Sequence, residues 1–278
     1  MPELPEVETI RDALNQKLTG RRVKEVLVHN PHLRESVDAA ALADHCVGRP
    51  FQAVRRRGKY LIVECGDGQG LIVHLGMTGS FRVGGDQDTL GRHDHVEWRF
   101  EDGLRLLFND PRRFGCVMPI RLPLELGNGD GPLPRLGPEP LSDDFSVDFL
   151  YHQLHDRQAP VKNILMDQAV VAGMGNIYAS EALFRAGISP RRKGSRISRR
   201  SCGLLRQAIR SVLKDAIVSG GTTISDYRSL DGLEGRFAVR LQVYGKAGQP
   251  CPKCGEKSLI RRVSLAGRST FFCPGCQH

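Results

Sequence analysis

Two groups of residues in this 278-residue chain have the types and spacing to do chemistry. The first opens it, as Met1-Pro2-Glu3-Leu4-Pro5-Glu6-Val7-Glu8-Thr9. Methionine removal is favoured ahead of a small residue and would leave Pro2 as a free secondary amine. An α-amino group titrates at about 7.7–8.0, so roughly a tenth of it is already neutral and nucleophilic at pH 7. Such an amine can attack a sugar aldehyde carbon, and Glu3 is placed to carry protons. The second group is Cys251-Pro-Lys-Cys254 and Cys273-Pro-Gly-Cys276, with 18 residues between the pairs. That is the spacing of two knuckles around a tetrahedral Zn²⁺. Four thiolate ligands leave no position for water, and few apolar residues lie between the pairs. One zinc ion is therefore expected to fold this segment rather than to catalyse.

These residues need elements to hold them. Pro5 suits the first turn of a helix, where no backbone N–H is required, and Val7, Ile10, Leu14 and Leu18 mark one buried face of it. Short aliphatic runs follow at Val23–Val28, 60–64, 71–75, 95–100 and 104–108, with a further helix around 39–45. Glycine-rich or charged turns separate the runs, which is the pattern of a β-sandwich or barrel. Glycine and proline fill half of 127–140, marking a linker. Beyond it 142–155, 161–167, 177–186 and 199–218 read as helices, and 258–263 with 268–272 as a terminal hairpin. The class expected is α+β: an N-terminal β-sandwich with flanking helices over 1–134, a helical domain over 135–240, and a four-cysteine zinc finger over 241–278.

Bulk properties narrow the partners. Residues 151–278 hold 21 Lys/Arg against 8 Asp/Glu, whereas 1–150 hold 19 against 23. The second half is the polyanion-facing half, and nucleic acid is the expected partner. No apolar run approaches the roughly 20 residues of a membrane span. No secretory pattern opens the chain. A soluble, cytoplasmic monomer is expected. Cys46, Cys65, Cys116 and Cys202 stand singly, which argues against a disulfide framework.

Further candidates lie on glycine-flanked turns. Arg55-Arg56-Arg57-Gly58-Lys59-Tyr60 is expected to open a strand with four cations. Both His74-Leu75-Gly76-Met77-Thr78-Gly79 and Asp110-Pro111-Arg112-Arg113-Phe114-Gly115 place large side chains on loops, as wedges for a base stack would be. In Gly173-Met174-Gly175-Asn176-Ile177-Tyr178-Ala179, Asn176 is expected to cap a helix whose free N–H groups receive a phosphate. Arg268, where the terminal hairpin turns back, reads as a phosphate contact.

PELPEVET at the N-terminus resembles formamidopyrimidine-DNA glycosylase, a bacterial repair family for oxidised purines. The resemblance runs on through GMGNIYASEALFRAGISP, Gly220–Thr223, Leu241–Lys246 and Thr270–Cys273. It implies a bifunctional DNA glycosylase and apurinic/apyrimidinic lyase with a helix–two-turn–helix domain, found in the cytoplasm and on the nucleoid while scanning DNA. Its substrate would be double-stranded DNA carrying 8-oxoguanine, formamidopyrimidines or abasic sites. It implies Pro2, Glu3, Lys59 and Arg268 as catalytic residues, with Arg268 assigned to the later elimination step; a guanidinium is a poor acid, so gripping phosphate suits it better. Met77, Arg112 and Phe114 would fill the gap left by the extruded nucleotide. His74, His93, Arg113, Arg157, Asn176, Tyr244 and Lys246 would contact DNA. Ser225 departs from the basic residue of several relatives, in a loop at 224–235 expected to close over the base. Two rivals remain: an endonuclease VIII-like glycosylase for oxidised pyrimidines, and a DNA-binding protein without catalysis.

Overall fold

A computed structural model of the chain describes residues 1–122, 131–222 and 240–278. These form two compact units, one of 1–122 and 131–134 with 220–222, the other of 135–219 with 240–278. The loop at 224–235, Ser225 with it, and 127–130 of the expected linker lie outside the described residues.

The first unit is a β-sandwich. Helix α1 (Leu4–Leu18) is followed by β1 (Val23–Val28), α2 (Ala39–Cys46), β2 (Phe51–Arg57), β3 (Tyr60–Cys65) and β4 (Gln69–His74). Then come β5 (Ser80–Gly84), β6 (Asp94–Phe100), β7 (Arg105–Asn109) and β8 (Cys116–Arg121). Two antiparallel four-stranded sheets result, ordered β1-β6-β7-β5 and β2-β3-β4-β8. Phe81, Val96, Trp98, Phe100, Leu106 and Phe108 of one pack with Phe51, Leu61, Val63, Leu71, Val73 and Val117 of the other. Phe51 meets Phe100 edge to face at 5.4 Å. Helix α1 closes the core with the face read from its periodicity: Val7, Ile10, Leu14 and Leu18 are at most 2% exposed. Burying four such side chains contributes on the order of 1.5–3 kcal/mol each, which fixes the helix and the residues at its start.

Sequence reading left β2, β5 and β8 unassigned. Arg55–Arg57 end β2 instead of opening a strand, and Lys59 lies on the hairpin turn to β3 beside Gly58, whose φ is +58°. Arg56 is why a cationic run is a strand: its guanidinium pairs with Glu8 of α1 and donates to Gly58 O at 3.0 Å.

The second unit holds α3 (Val147–Leu154), α4 (Val161–Leu165), α5 (Asn176–Arg185) and α6 (Arg199–Val218), then β9 (Pro250–Cys251), β10 (Gly255–Leu259), β11 (Arg261–Leu265) and β12 (Arg268–Phe272). The terminal hairpin is β11 with β12, so its first strand is Arg261–Leu265 and not 258–263; Ser258 belongs to β10, which pairs with β9. Ile260 is the break between β10 and β11, 2% exposed and hydrogen-bonded to Gln249. Leu265 pairs with Arg268 across Ala266-Gly267, whose φ values of +47° and +73° are those of a two-residue primed turn. No helix among the described residues is long and apolar enough to cross a membrane.

Candidate active site and DNA-binding surfaces

The start of α1 is held by a carboxylate that sequence reading did not single out. Glu6 Oε2 accepts the Glu3 backbone N–H at 2.9 Å, a capping box in which Glu3 is the N-cap. Glu6 Oε1 accepts both the N–H and the hydroxyl of Thr222, at 2.8 and 2.9 Å. Gly221, directly before Thr222, has φ +79°, and a Cβ there would lie 3.0 Å from Glu6 Oε1. Gly221 is thus what lets the chain close on this carboxylate. Pro2 and Glu3 are both buried, Glu3 to 2% exposure, while Met1 is half exposed. The Glu8–Arg56–Gly58 chain ties the same helix to the turn that bears Lys59, which is 6% exposed.

His74 ends β4 with its ring on that of Tyr60, 4.7 Å between centroids. Burial, with the Lys59 and Arg34 cations nearby, holds its pKa down at about 4. The ring is therefore neutral at pH 7. Nδ1 accepts the Gly76 N–H at 3.0 Å, which leaves the ring proton on Nε2 as a donor for an anionic oxygen.

The two wedge loops form one platform. Gly76, at φ +61°, approaches the backbone of the other loop so closely that a Cβ would sit 2.4 Å from Phe114 C. The carboxylate of Asp110, fully buried, bridges them: Oδ1 accepts the Thr78 hydroxyl at 2.5 Å and Oδ2 the Gly115 N–H at 2.8 Å. Arg112 N–H also faces Oδ1, at 3.3 Å. His93 accepts the Asp110 N–H through its carbonyl, and His95 Nε2 lies 2.8 Å from Asp110 O. On this base Met77 and Phe114 are 37% and 46% exposed, and the Arg112 guanidinium stacks 4.7 Å over the Phe114 ring. Arg113 has φ +57°, a strained conformation for a side chain of its size. We predict that Asp110→Ala, which orphans the Thr78 and Gly115 donors, destabilises the protein by about 2–4 kcal/mol. Its thermal midpoint should drop by several degrees; an unchanged midpoint would show that the loops do not depend on the carboxylate.

In the second unit the structure corrects one expectation. Gly175, not Asn176, is the N-cap of α5, and no side chain caps the helix. Asn176 is its first residue and turns its amide toward the terminal hairpin: Nδ2 donates to Ser269 O at 3.0 Å and faces the Tyr244 hydroxyl at 3.3 Å. The reason is a buried cation, Lys162, whose Nζ lies 2.5 Å from Asn176 Oδ1 and 2.6 Å from Thr270 Oγ1. Tyr244 is set by Glu181, 1% exposed, whose carboxylate accepts the N–H groups of Gln242, Val243 and Tyr244 at 2.8–2.9 Å. Tyr244 also packs on Phe271 at 5.0 Å, and Lys246 follows on a turn closed by its N–H to Val243 O. Arg268 is exposed, one residue before Ser269. Asn176, Tyr244 and the Arg268 strand are thus brought together. Arg157 lies apart from this cluster, its guanidinium 3.5 Å from Asp167 and 3.0 Å from Gln153.

The four predicted metal ligands converge. Cys251, Cys254, Cys273 and Cys276 place their Sγ atoms within 4.8 Å of one another, with Cys251–Cys276 and Cys254–Cys273 both at 3.8 Å. A zinc tetrahedron with bonds of about 2.3 Å has S···S edges of about 3.8 Å, which the two closest pairs match, so the donor set fits zinc. The finger docks on α5: Lys253 Nζ donates to the carbonyls of Phe184 and Arg185 at 3.0 and 3.1 Å, and Phe184 packs with Val243, Ile260 and Phe271. A cation on the last carbonyls of a helix is favourable for the helix dipole. Cys46, Cys65, Cys116 and Cys202 are all buried and unbridged.

Comparison with known proteins agrees with this arrangement throughout the chain. Residues 1–117 match the formamidopyrimidine-DNA glycosylase N-terminal domain, 136–228 its H2TH domain, and 248–278 a zinc finger found in FPG and IleRS. The chain is 47% identical to formamidopyrimidine-DNA glycosylases of Laribacter hongkongensis and Marinobacter nauticus, over the full length of each. It resembles the crystal structure of the Thermus thermophilus protein at TM-score 0.85 and 41% identity, covering 99% of this chain and 98% of that one. It also resembles a Lactococcus lactis mutant protein complexed with Fapy-dG-containing DNA, at TM-score 0.89 and 35% identity with both chains fully covered. A sandwich with a capped N-terminal helix, an H2TH unit carrying a four-cysteine finger, and homology of this extent lead to one conclusion: the chain belongs to the formamidopyrimidine-DNA glycosylase family.

Proposed function

We propose that this protein is a bifunctional glycosylase and lyase that removes oxidised purines from duplex DNA in base excision repair. The observation that carries the reading is the start of α1, where a buried Pro2-Glu3 pair is fixed by Glu6 and tied through Arg56 to the turn of Lys59. The target base is flipped, because its glycosidic carbon is out of reach in the stack. With Met1 removed, the Pro2 nitrogen forms a bond to C1′ as the glycosidic bond breaks and the base departs. Opening of the sugar ring gives an iminium ion, with Glu3 handling protons at the sugar oxygen. Loss of the C2′ proton expels the 3′ phosphate, and a second elimination expels the 5′ phosphate. In this reading Lys59 and the Nε2–H of neutral His74 grip phosphates beside the lesion. His93, Arg113, Arg157, Asn176, Tyr244, Lys246 and Arg268 supply further DNA contacts. One zinc ion, held by the four cysteines, shapes the hairpin without taking part in the reaction.

Met77, Arg112 and Phe114 on their shared platform fill the void, which fits the purine branch of the family better than the pyrimidine one. Met77→Ala and Arg112→Ala are expected to slow excision from paired duplexes by about 10- to 100-fold, since unstacking costs a few kcal/mol per step. Cleavage at a preformed abasic site, where no base has to leave the stack, should change little. Equal losses on both substrates would reduce these residues to general affinity contacts. The reading as a whole is tested by comparing 8-oxoguanine and thymine-glycol duplexes; faster cleavage of the latter would move the protein to the endonuclease VIII-like activity.

A further inference from the structure

The segment from Arg191 to Arg200 carries six cations in ten residues and no acid: Arg191, Arg192, Lys193, Arg196, Arg199 and Arg200. None of them takes part in the sites of the sandwich or of the finger. The segment's backbone is pinned along 157–161. Val161 N–H donates to Arg192 O at 2.7 Å, Gly194 N–H to Ala159 O at 3.0 Å and Ser195 N–H to Arg157 O at 2.9 Å. Gly194 is buried so tightly that a Cβ would lie 2.7 Å from both Leu154 O and Ile164 Cδ1. Arg191, Lys193, Arg196, Arg199 and Arg200 are all exposed. Asp148 pairs with Arg199, and Arg192 reaches His278 O at 3.5 Å. Arg191, Lys193, Arg196 and Arg200 have no acidic partner among the described residues. The first turn of α6 continues the run and has no acid either.

Like charges fixed on one rigid backbone repel one another, and a polyanion relieves that repulsion. The apolar and small residues of the segment, Ile197 and Gly194, are buried, so it offers no aromatic or aliphatic anchor of the kind that carries protein–protein affinity. Contact with phosphates needs no such anchor. The strip is also hydrogen-bonded directly to Arg157, which the family resemblance puts against DNA.

We infer that Arg191, Lys193, Arg196 and Arg200 form a second phosphate-binding strip, which grips duplex DNA beyond the lesion and holds the protein on undamaged DNA during search. This rests on the glycosylase reading for the identity of the polyanion, and on the pinned basic segment for its place. Removing one phosphate-neutralising cation makes the dependence of log K on log salt shallower by about 0.9.

The test is a variant with Arg191, Lys193, Arg196 and Arg200 all changed to alanine, titrated across salt concentrations on a long undamaged duplex and on a short lesion-centred one. On the long duplex the slope is expected to become less negative by about two or more. On the short duplex it should stay as in the wild type. A second variant, Arg191→Lys, Arg196→Lys and Arg200→Lys, keeps the charge and should restore the wild-type slope if charge and not packing is responsible. An unchanged slope on the long duplex, in a protein with wild-type thermal midpoint, overturns the inference and leaves the strip to solvent or to an acidic protein. A wild-type protein that shows no salt-dependent duplex binding would instead overturn the glycosylase reading itself.

Discussion

Blocking the amine of Pro2, by acetylation or by retention of Met1, is expected to abolish covalent trapping by borohydride during turnover and to lower excision by about a thousandfold or more, the scale on which loss of a covalent nucleophile acts. An amide nitrogen has no basic lone pair and cannot become an iminium. The expectation is specific because the structure separates the amine from its support. Glu6 holds the helix start through the Glu3 N–H and through Thr222, and the Glu3 side chain completes the capping box by accepting the Glu6 N–H. Glu3→Gln keeps an oxygen that can accept the same N–H, so it should leave α1 folded while removing the proton carrier, and trapping and excision should fall with little loss of thermal stability. Glu6→Ala should do the reverse: the chemistry is intact but its anchor is gone, and both stability and trapping decline. N-terminal mass analysis, trapping yield and thermal midpoint measured on the same preparations decide the matter. A full-yield adduct from protein shown to retain Met1 would end the role of Pro2.

What could be read in the sequence was what local patterns encode. The three- and four-residue spacing of Val7, Ile10, Leu14 and Leu18 gave a helix face that is buried as expected, and the two cysteine pairs gave a cluster with zinc geometry. Edge strands were harder. Strand β8 contains Pro119, tolerated because β8 lies at a sheet edge, yet proline argues against a strand when only the sequence is in view. Strand β2 ends in three arginines and looks solvated until Glu8 is found beside Arg56. The residues to which sequence reading gave no role are buried polar groups satisfied across long separations. Glu6 bonds to a residue 216 positions away, Lys162 to one 108 away, Glu181 to one 62 away and Asp110 to one 32 away. Such groups have no periodicity to betray them, and each looks like an ordinary surface charge until the fold closes around it. Asn176 was misread for the same reason. Its position after a glycine-bracketed turn fits a cap, but the Lys162 cation draws its amide to the hairpin instead.

That link between Asn176 and the hairpin sets the expected result of removing zinc. Strands β11 and β12 are a two-stranded ribbon, and such a ribbon is marginal in water without support. Its support is the cysteine cluster and a small core of Phe184, Val243, Ile260 and Phe271 on α5. Structural zinc in a finger of this size provides most of the folding free energy, on the order of 10 kcal/mol in isolated fingers, so this core cannot hold the ribbon alone. When the ribbon melts, Arg268 is no longer held in place, and Asn176 and Lys162 are deprived of Ser269 and Thr270 as partners. The proposed phosphate grips then go together, and at about 1.4 kcal/mol per tenfold the loss of even two such contacts would amount to roughly a hundredfold in affinity. Chelated protein and Cys273→Ser are both expected to bind a lesion duplex at least that much more weakly. The sandwich should stay folded, because its core includes no residue of the finger. Added zinc should rescue the chelated wild type but not Cys273→Ser, which offers one thiolate too few. Metal-free protein that binds the lesion duplex as tightly as before would show that the hairpin stands without its metal.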